Sequence, residues 1–284
     1  MEILFPVTAI LIFLLVAGLG SWRLSDHGSD RRAKKRLLAT QPANPARFDP
    51  SMVSGLPEPA RRYLQFAIRP GTPLCTVAEI SMVGKFGLGS KAEPGYMRMT
   101  AEQTLALPTG FIWKMHARKG LLHVSGSDAE GWTRIWSMGL IPVAHLGGSP
   151  DHTRSAFGRY AAEAVFWTPA ALLPGPGIRW EPVDENTARV VVSHNGIVQP
   201  VDVTVAADGS PTQVSFLRWS DANPDKVHRL QPFGGYLSEY REFSGFRLPT
   251  HVEAGNFFGT ADYFPFFIVD VTAVNFPGPD THDT

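Results

Sequence analysis

The chain has 284 residues, 26 basic and 26 acidic side chains, no net formal charge, and 44% hydrophobic residues. That balance excludes a basic nucleic-acid binder and a highly charged disordered chain. The single cysteine, Cys75, excludes an intramolecular disulfide and a cysteine-based zinc cluster, and is expected as a small, buried or half-buried side chain beside a strand.

Residues 3–22 form an uncharged run of 20 rich in Leu, Ile, Val and Phe. At about 1.5 Å per residue it spans about 30 Å, the hydrocarbon thickness of a bilayer. No Lys or Arg precedes it and the Gly18-Leu19-Gly20 cleavage signal is weak, so an uncleaved anchor is favoured over a signal peptide. Seven basic residues (Arg23, Arg31, Arg32, Lys34, Lys35, Arg36 and Arg47) follow, against Asp26 and Asp30, while the chain beyond Arg47 carries 19 basic and 23 acidic residues. The positive-inside rule then makes the protein a single-pass component of a bacterial inner membrane with its body in the cytoplasm, the periplasm being the alternative. The basic run itself suits a short juxtamembrane helix, capped by Ser29 or Asp30 and lying on anionic headgroups.

Residues 40–50 read as a proline-containing linker, and residues 56–68 as a short helix with Ala60, Tyr63, Leu64 and Ala67 on its apolar stripe. Strict alternation then predicts antiparallel strands, with Ile80, Met82, Met97, Met99, Phe111, Trp113 and Met115 on apolar faces. Residues 121–127 and 132–138 continue the meander. Residues 151–168 form the one convincing amphipathic helix of the body. Phe157, Tyr160, Ala161, Ala164 and Trp167 make its stripe, Asp151 is the expected N-cap, and Pro169 ends it. Strands resume at 179–183, 188–194, 197–205, 213–219, 235–243, 247–254 and 264–276, with Asn195-Gly196 as a type I′ turn. The predicted domain, residues 56–276, is mainly β (α+β): a large curved antiparallel sheet or half-open barrel with one central helix packed on it. An N-terminal transmembrane helix (1–22) and a basic juxtamembrane segment (23–55) precede it, and a tail (277–284) follows.

Five segments carry a resemblance: the Leu-Pro-Glu-Pro-Ala-Arg-Arg-Tyr-Leu run from Leu56, the helix segment from Arg159 through Leu173-Pro174, Trp180-Glu-Pro-Val-Asp184, Pro232-Phe-Gly-Gly, and Leu248-Pro-Thr. By these the chain resembles a family of uncharacterised bacterial membrane-anchored proteins, a domain of unknown function. The resemblance implies no activity and no functional residues. Its architecture is similar to the half-open barrel of lipoprotein carriers, a likeness of fold alone.

No Gly-x-Ser-x-Gly elbow is present, Gly147-Gly148-Ser149-Pro150 coming closest, and Gly84 to Gly89 reads as a hairpin turn rather than a phosphate cradle. The nine histidines show no metal-ligand spacing, so no metal and no cofactor is expected. Arg159 and Glu163 are four apart on the central helix and can pair. Arg218 and Glu253 sit where alternation turns them toward the same space, with Trp113, Met115 and Trp167 on predicted inner faces. These seven residues are the candidate ligand-binding set, and no catalytic residue is assigned. The leading expectation is an apolar, lipid-like ligand held between sheet and helix. The alternatives are a structural or interaction module at the membrane, and an enzyme using Glu163 as acid or base.

Overall fold

The computed structural model of the chain describes residues 4–278. Glu2, expected to flank the anchor, and residues 279–284 of the expected tail lie outside the described residues. The first helix, α1 (Leu4–Leu38), runs unbroken for 35 residues. Its N-terminal part is long and apolar enough to cross a membrane, with a mean hydropathy of 2.0 and none of it buried.

The expected separate juxtamembrane helix, capped at Ser29 or Asp30, is therefore corrected: residues 23–38 continue α1 without a break. The cause is a stripe at helical spacing. Asp26, Asp30, Ala33 and Leu37 are buried against the sheet. Asp26 accepts a hydrogen bond from Trp136 Nε1 at 3.1 Å and faces Arg134 Nη1 at 3.2 Å. Asp30 accepts one from Ser127 Oγ at 2.8 Å. Arg31, Arg32, Lys35 and Arg36 stay exposed on the opposite side of the helix.

The segment read as a linker is docked at Gln41. The buried Gln41 Oε1 accepts from the amides of Thr76 (2.9 Å) and Val77 (3.0 Å), and its Nε2 donates to the carbonyls of Val77 and Pro277. A 3-10 turn (Pro50–Val53) follows, then α2 (Glu58–Ala67), with a proline in its first turn where a missing amide costs nothing. Tyr63 is fully buried there and donates from its hydroxyl to the Val165 carbonyl at 2.6 Å.

The body is one open antiparallel sheet of 13 strands. In chain order these are β1 (Val77–Gly87), β2 (Tyr96–Ala106), β3 (Gly110–Lys119), β4 (Leu122–Ala129), β5 (Trp132–Ser137) and β6 (Ile141–Gly147), then β7 (Ile178–Pro182), β8 (Thr187–His194), β9 (Ile197–Val205), β10 (Pro211–Ser220), β11 (Arg229–Phe243), β12 (Phe246–Asn256) and β13 (Phe264–Asn275). The spatial order is β6-β5-β4-β3-β2-β1-β13-β12-β11-β10-β9-β8-β7. Two meanders thus meet at the β1–β13 pair, and the strands adjacent in sequence at the break, β6 and β7, form the two far edges. The chain must cross from one edge to the other, and α3 (Pro150–Trp167) makes that crossing over one face. A single long helix between two runs of strands follows from this topology.

Ser149, not Asp151, caps α3: its hydroxyl accepts from the His152 amide at 3.1 Å, and Pro150 begins the helix. Asp151 instead accepts from Trp219 Nε1 at 2.7 Å. The helix ends at Trp167, before Thr168-Pro169. Asn195 and Gly196 both have positive φ (48° and 78°), as a type I′ turn requires. The expected turn beginning at Gly84 is corrected, since Gly84 lies inside β1 between Met99 and Val269. A Cβ there would stand 2.1 Å from the Ile268 carbonyl oxygen, so the close approach of β13 requires glycine. Strand β6 was not anticipated. It is an edge strand carrying Pro142 and ending at Gly147, and edges tolerate both.

Candidate functional site

A cavity of about 470 Å³ lies between α3 and the face of the sheet that α3 crosses. Phe86 of β1, Trp113 and Met115 of β3, Phe216 of β10, Phe233 of β11 and Phe267 of β13 supply much of its wall. From α3 come Arg159, Ala162, Glu163, Phe166 and Trp167. Six of the seven residues singled out from sequence are brought together here: Trp113, Met115, Arg159, Glu163, Trp167 and Arg218.

Glu253 is the exception, and the expectation that it turns inward is corrected. Val252 and Ala254 line the cavity, so alternation sends Glu253 to the other face of β12. There it lies 3.4 Å from His251 Nε2, whose Nδ1 is 2.7 Å from Asp270 Oδ1. The hydrogen bond to Asp270 is the main cause that holds the His251 pKa above its usual value.

The polar groups of the cavity form one chain of contacts. Arg159 Nε donates to Glu163 Oε1 at 2.7 Å, and its Nη1 donates to Asp128 Oδ2 on β4. Gln103 on β2 donates to the second oxygen of Glu163. The Arg159 guanidinium also lies over the rings of Phe111 (4.6 Å) and Trp113 (5.3 Å). Burial alone would depress the pKa of Arg159, but the two carboxylates outweigh it and raise it. Arg159 thereby fastens α3 to β4, and both oxygens of Glu163 are engaged. Sequence reasoning missed Gln103 and Asp128. Gln103 occupies the apolar phase of β2 between Ala101 and Leu105, and is buried. A polar residue in that phase is the signal that finds it.

Arg218 behaves differently. Among the described residues its guanidinium forms no ion pair and no hydrogen bond, and its buried Nε lacks an acceptor. Its neighbour is the ring of Phe233, 5.0 Å away. Desolvation by burial, followed by repulsion from Arg159, pushes its pKa down to about 10 against the pull of Asp128, Glu163 and Asp221. It still carries its charge at neutral pH. It lines the same cavity as the aromatic wall. The indole nitrogens of Trp113 and Trp167 are likewise buried without an acceptor. The set can hold an apolar chain along the aromatic wall and meet an acceptor group at Arg218.

A family model described as a family of unknown function (DUF6544) matches residues 46–268. No curated protein matches the chain. Among solved structures, the chain is similar to a LolA superfamily protein from Nitrosomonas europaea, at 10% identity and a TM-score of 0.42, over 77% of this chain and 92% of that one. It is also similar to a DUF1329 family protein from Desulfovibrio piger, at 9% identity and a TM-score of 0.39, over 80% of this chain and 92% of that one.

Proposed function

The chain belongs to this family of unknown function, which brings no activity with it, and we propose that it is a membrane-tethered domain that binds an apolar or amphipathic, lipid-like molecule between α3 and the sheet. The observation that carries the proposal is Arg218, a half-buried cation on the wall of an aromatic cavity, its side chain without an ion-pair or hydrogen-bond partner among the described residues. Its buried Nε lacks an acceptor, a cost that a ligand acceptor can offset. A carboxylate, phosphate or ester oxygen at the head of a hydrocarbon chain meets both halves of the site. The volume supports it. At about 470 Å³ it lies within the range of about 300–1,000 Å³ typical of small-molecule pockets.

Glu163 serves here as the support of Arg159 rather than as an acid or base, because Arg159 and Gln103 already occupy both of its oxygens. The apolar part of α1, up to Trp22, is the anchor. The exposed Arg31, Arg32, Lys35 and Arg36 favour, by the positive-inside rule, a body on the cytoplasmic side of a bacterial inner membrane, the periplasm being the alternative.

Titration with a fatty acid brominated along its chain tests the proposal. Bromine quenches indole emission on contact, and Trp113 and Trp167 line the cavity. Saturable quenching that disappears in a Trp113→Phe/Trp167→Phe variant is the expected result. Quenching that is linear in concentration and identical in the variant would refute cavity binding.

A further inference from the structure

The sheet has a second feature, on the face opposite α3 and independent of the cavity. Lys85 of β1 stands directly across from Arg98 of β2, Arg98 from Arg118 of β3, and Arg118 from His123 of β4. All four side chains are exposed. At a strand spacing of about 4.8 Å this is an unbroken row of three cations across three strands, continued by an imidazole on the fourth, and like charges directly opposite destabilise a sheet. Among the described residues the side chains of Lys85, Arg98 and Arg118 form no ion pair or hydrogen bond. The cleft in which the row lies, about 1190 Å³, is also lined by Arg23, His27 and His116, and by no Asp or Glu.

The row has a fixed place relative to α1. Gly20 and Leu24 line the same cleft, beside Gly139 and Leu140 of the β5–β6 hairpin. The C-terminal end of α1 packs at the other end of the strands, where Leu37 and Leu38 meet Ala106, Ile112 and Ala129. A helix leaving a bilayer at Trp22 therefore puts the β1–β2, β3–β4 and β5–β6 hairpins at the level of the headgroups. Each of those hairpins carries exposed apolar side chains at or beside its turn: Leu88 is 60% exposed, Leu121 89%, Met138 57% and Ile141 56%. Large exposed aliphatic side chains on three successive turns, backed by cations, match an interface between headgroup and acyl chain.

We propose that this end of the sheet is a membrane-seating rim that binds anionic phospholipid. The hairpin tips enter the acyl boundary, and the Lys85–Arg98–Arg118 row, with Arg23, binds the lipid phosphates. Phosphate oxygens between neighbouring guanidinium groups remove the repulsion that the fold itself leaves unmatched. Leu88 and Val143 line the α3-side cavity as well, so the rim brings the mouth of that cavity to the bilayer.

The test uses the full chain in a Cys75→Ala background, reconstituted into phosphatidylcholine vesicles with or without phosphatidylglycerol. A fluorophore is attached at Leu121→Cys or, as a control, at Thr109→Cys, in the turn at the opposite end of β3, and doxyl-labelled lipid is the quencher. The expected result is quenching at position 121 that deepens with phosphatidylglycerol and is lost in an Arg98→Gln/Arg118→Gln variant, with none at position 109. The same double substitution should raise the melting temperature in detergent, since it relieves the repulsion, and this separates lost seating from lost folding. Equal signals at 121 and 109 would overturn the rim. Quenching indifferent to phosphatidylglycerol and to the arginines would overturn its anionic-lipid chemistry. Neither outcome bears on the cavity, whose ligand is detected by indole quenching.

Discussion

At the residue scale, the molecule contrasts two arginines on one cavity wall. Arg159 is saturated by Glu163 and Asp128, while Arg218 has a phenylalanine ring for company. Replacing Arg218 with methionine should therefore stabilise the ligand-free protein, on the order of 1 kcal/mol, by removing a half-buried charge whose Nε lacks an acceptor. The same substitution should weaken binding of an acidic amphiphile at least about tenfold, since a hydrogen bond to a charged donor is worth about 1.5–3 kcal/mol. Urea unfolding and the brominated-acid titration measure the two effects, and their opposite signs distinguish a binding residue from a structural one. Asp26 predicts the reverse. Its carboxylate meets Trp136 and Arg134 and lies 3.3 Å from His145. Asp26→Ala strands those partners and should cost about 3–5 kcal/mol. An unfolding midpoint within error of wild type would contradict the buried role of that helix face. The sequence showed Asp26 only as a counter-charge in a basic run. Its spacing to Asp30, Ala33 and Leu37 carries the information, but an aspartate on a helix beside six cations invites a surface reading until the indole and guanidinium opposite are known.

At the element scale, α3 and most strands were legible because period 3.6 and period 2 are unambiguous over long amphipathic segments. Residues 157, 160, 161, 164 and 167 are all buried, as the stripe requires. Two local features misled. Asp151 is a good N-cap by type, yet Ser149 precedes a proline at the first helical position and takes the cap, leaving Asp151 for Trp219. Glu253 is one residue out of phase with Val252 and Ala254, and a one-residue slip moves a side chain to the other face. The packing of α3 on the sheet offers a direct manipulation. Ala162 is buried yet faces the cavity, so Ala162→Phe places a ring in the binding space rather than in the close-packed side of the helix. Circular dichroism and the unfolding midpoint should stay near wild type, within about 1.5 kcal/mol, while amphiphile binding is lost.

At the scale of the whole molecule, the order of strands could not be read from the sequence. Hairpin turns give neighbours along the chain, but the β1–β13 pair joins residues almost two hundred positions apart, and no local pattern specifies it. That pair places both termini of the body at the middle of the sheet and its two edges at β6 and β7, which is why one helix must traverse a face and roof a cavity. On the opposite side of β12, His251 between Asp270 and Glu253 gives this architecture a pH dependence. The folded state holds the imidazolium more strongly than the unfolded chain does. Its contribution is therefore fully present below about pH 6.5 and lost as pH rises through the folded-state value. The urea midpoint should fall between about pH 6 and about pH 8, and His251→Asn should flatten that part of the profile. A wild-type profile no steeper than that of the variant would show that the cluster contributes nothing to stability.

The central claim is that the space under α3 holds a lipid-like molecule. Native mass spectrometry of the full chain, released from its membrane in detergent and compared before and after organic extraction, tests it most directly. The wild type should carry an extractable adduct of one lipid-sized molecule per chain, and Ala162→Phe should carry none. A clean protein mass for the wild type after incubation with total membrane lipid, or the same adduct on both proteins, would contradict it.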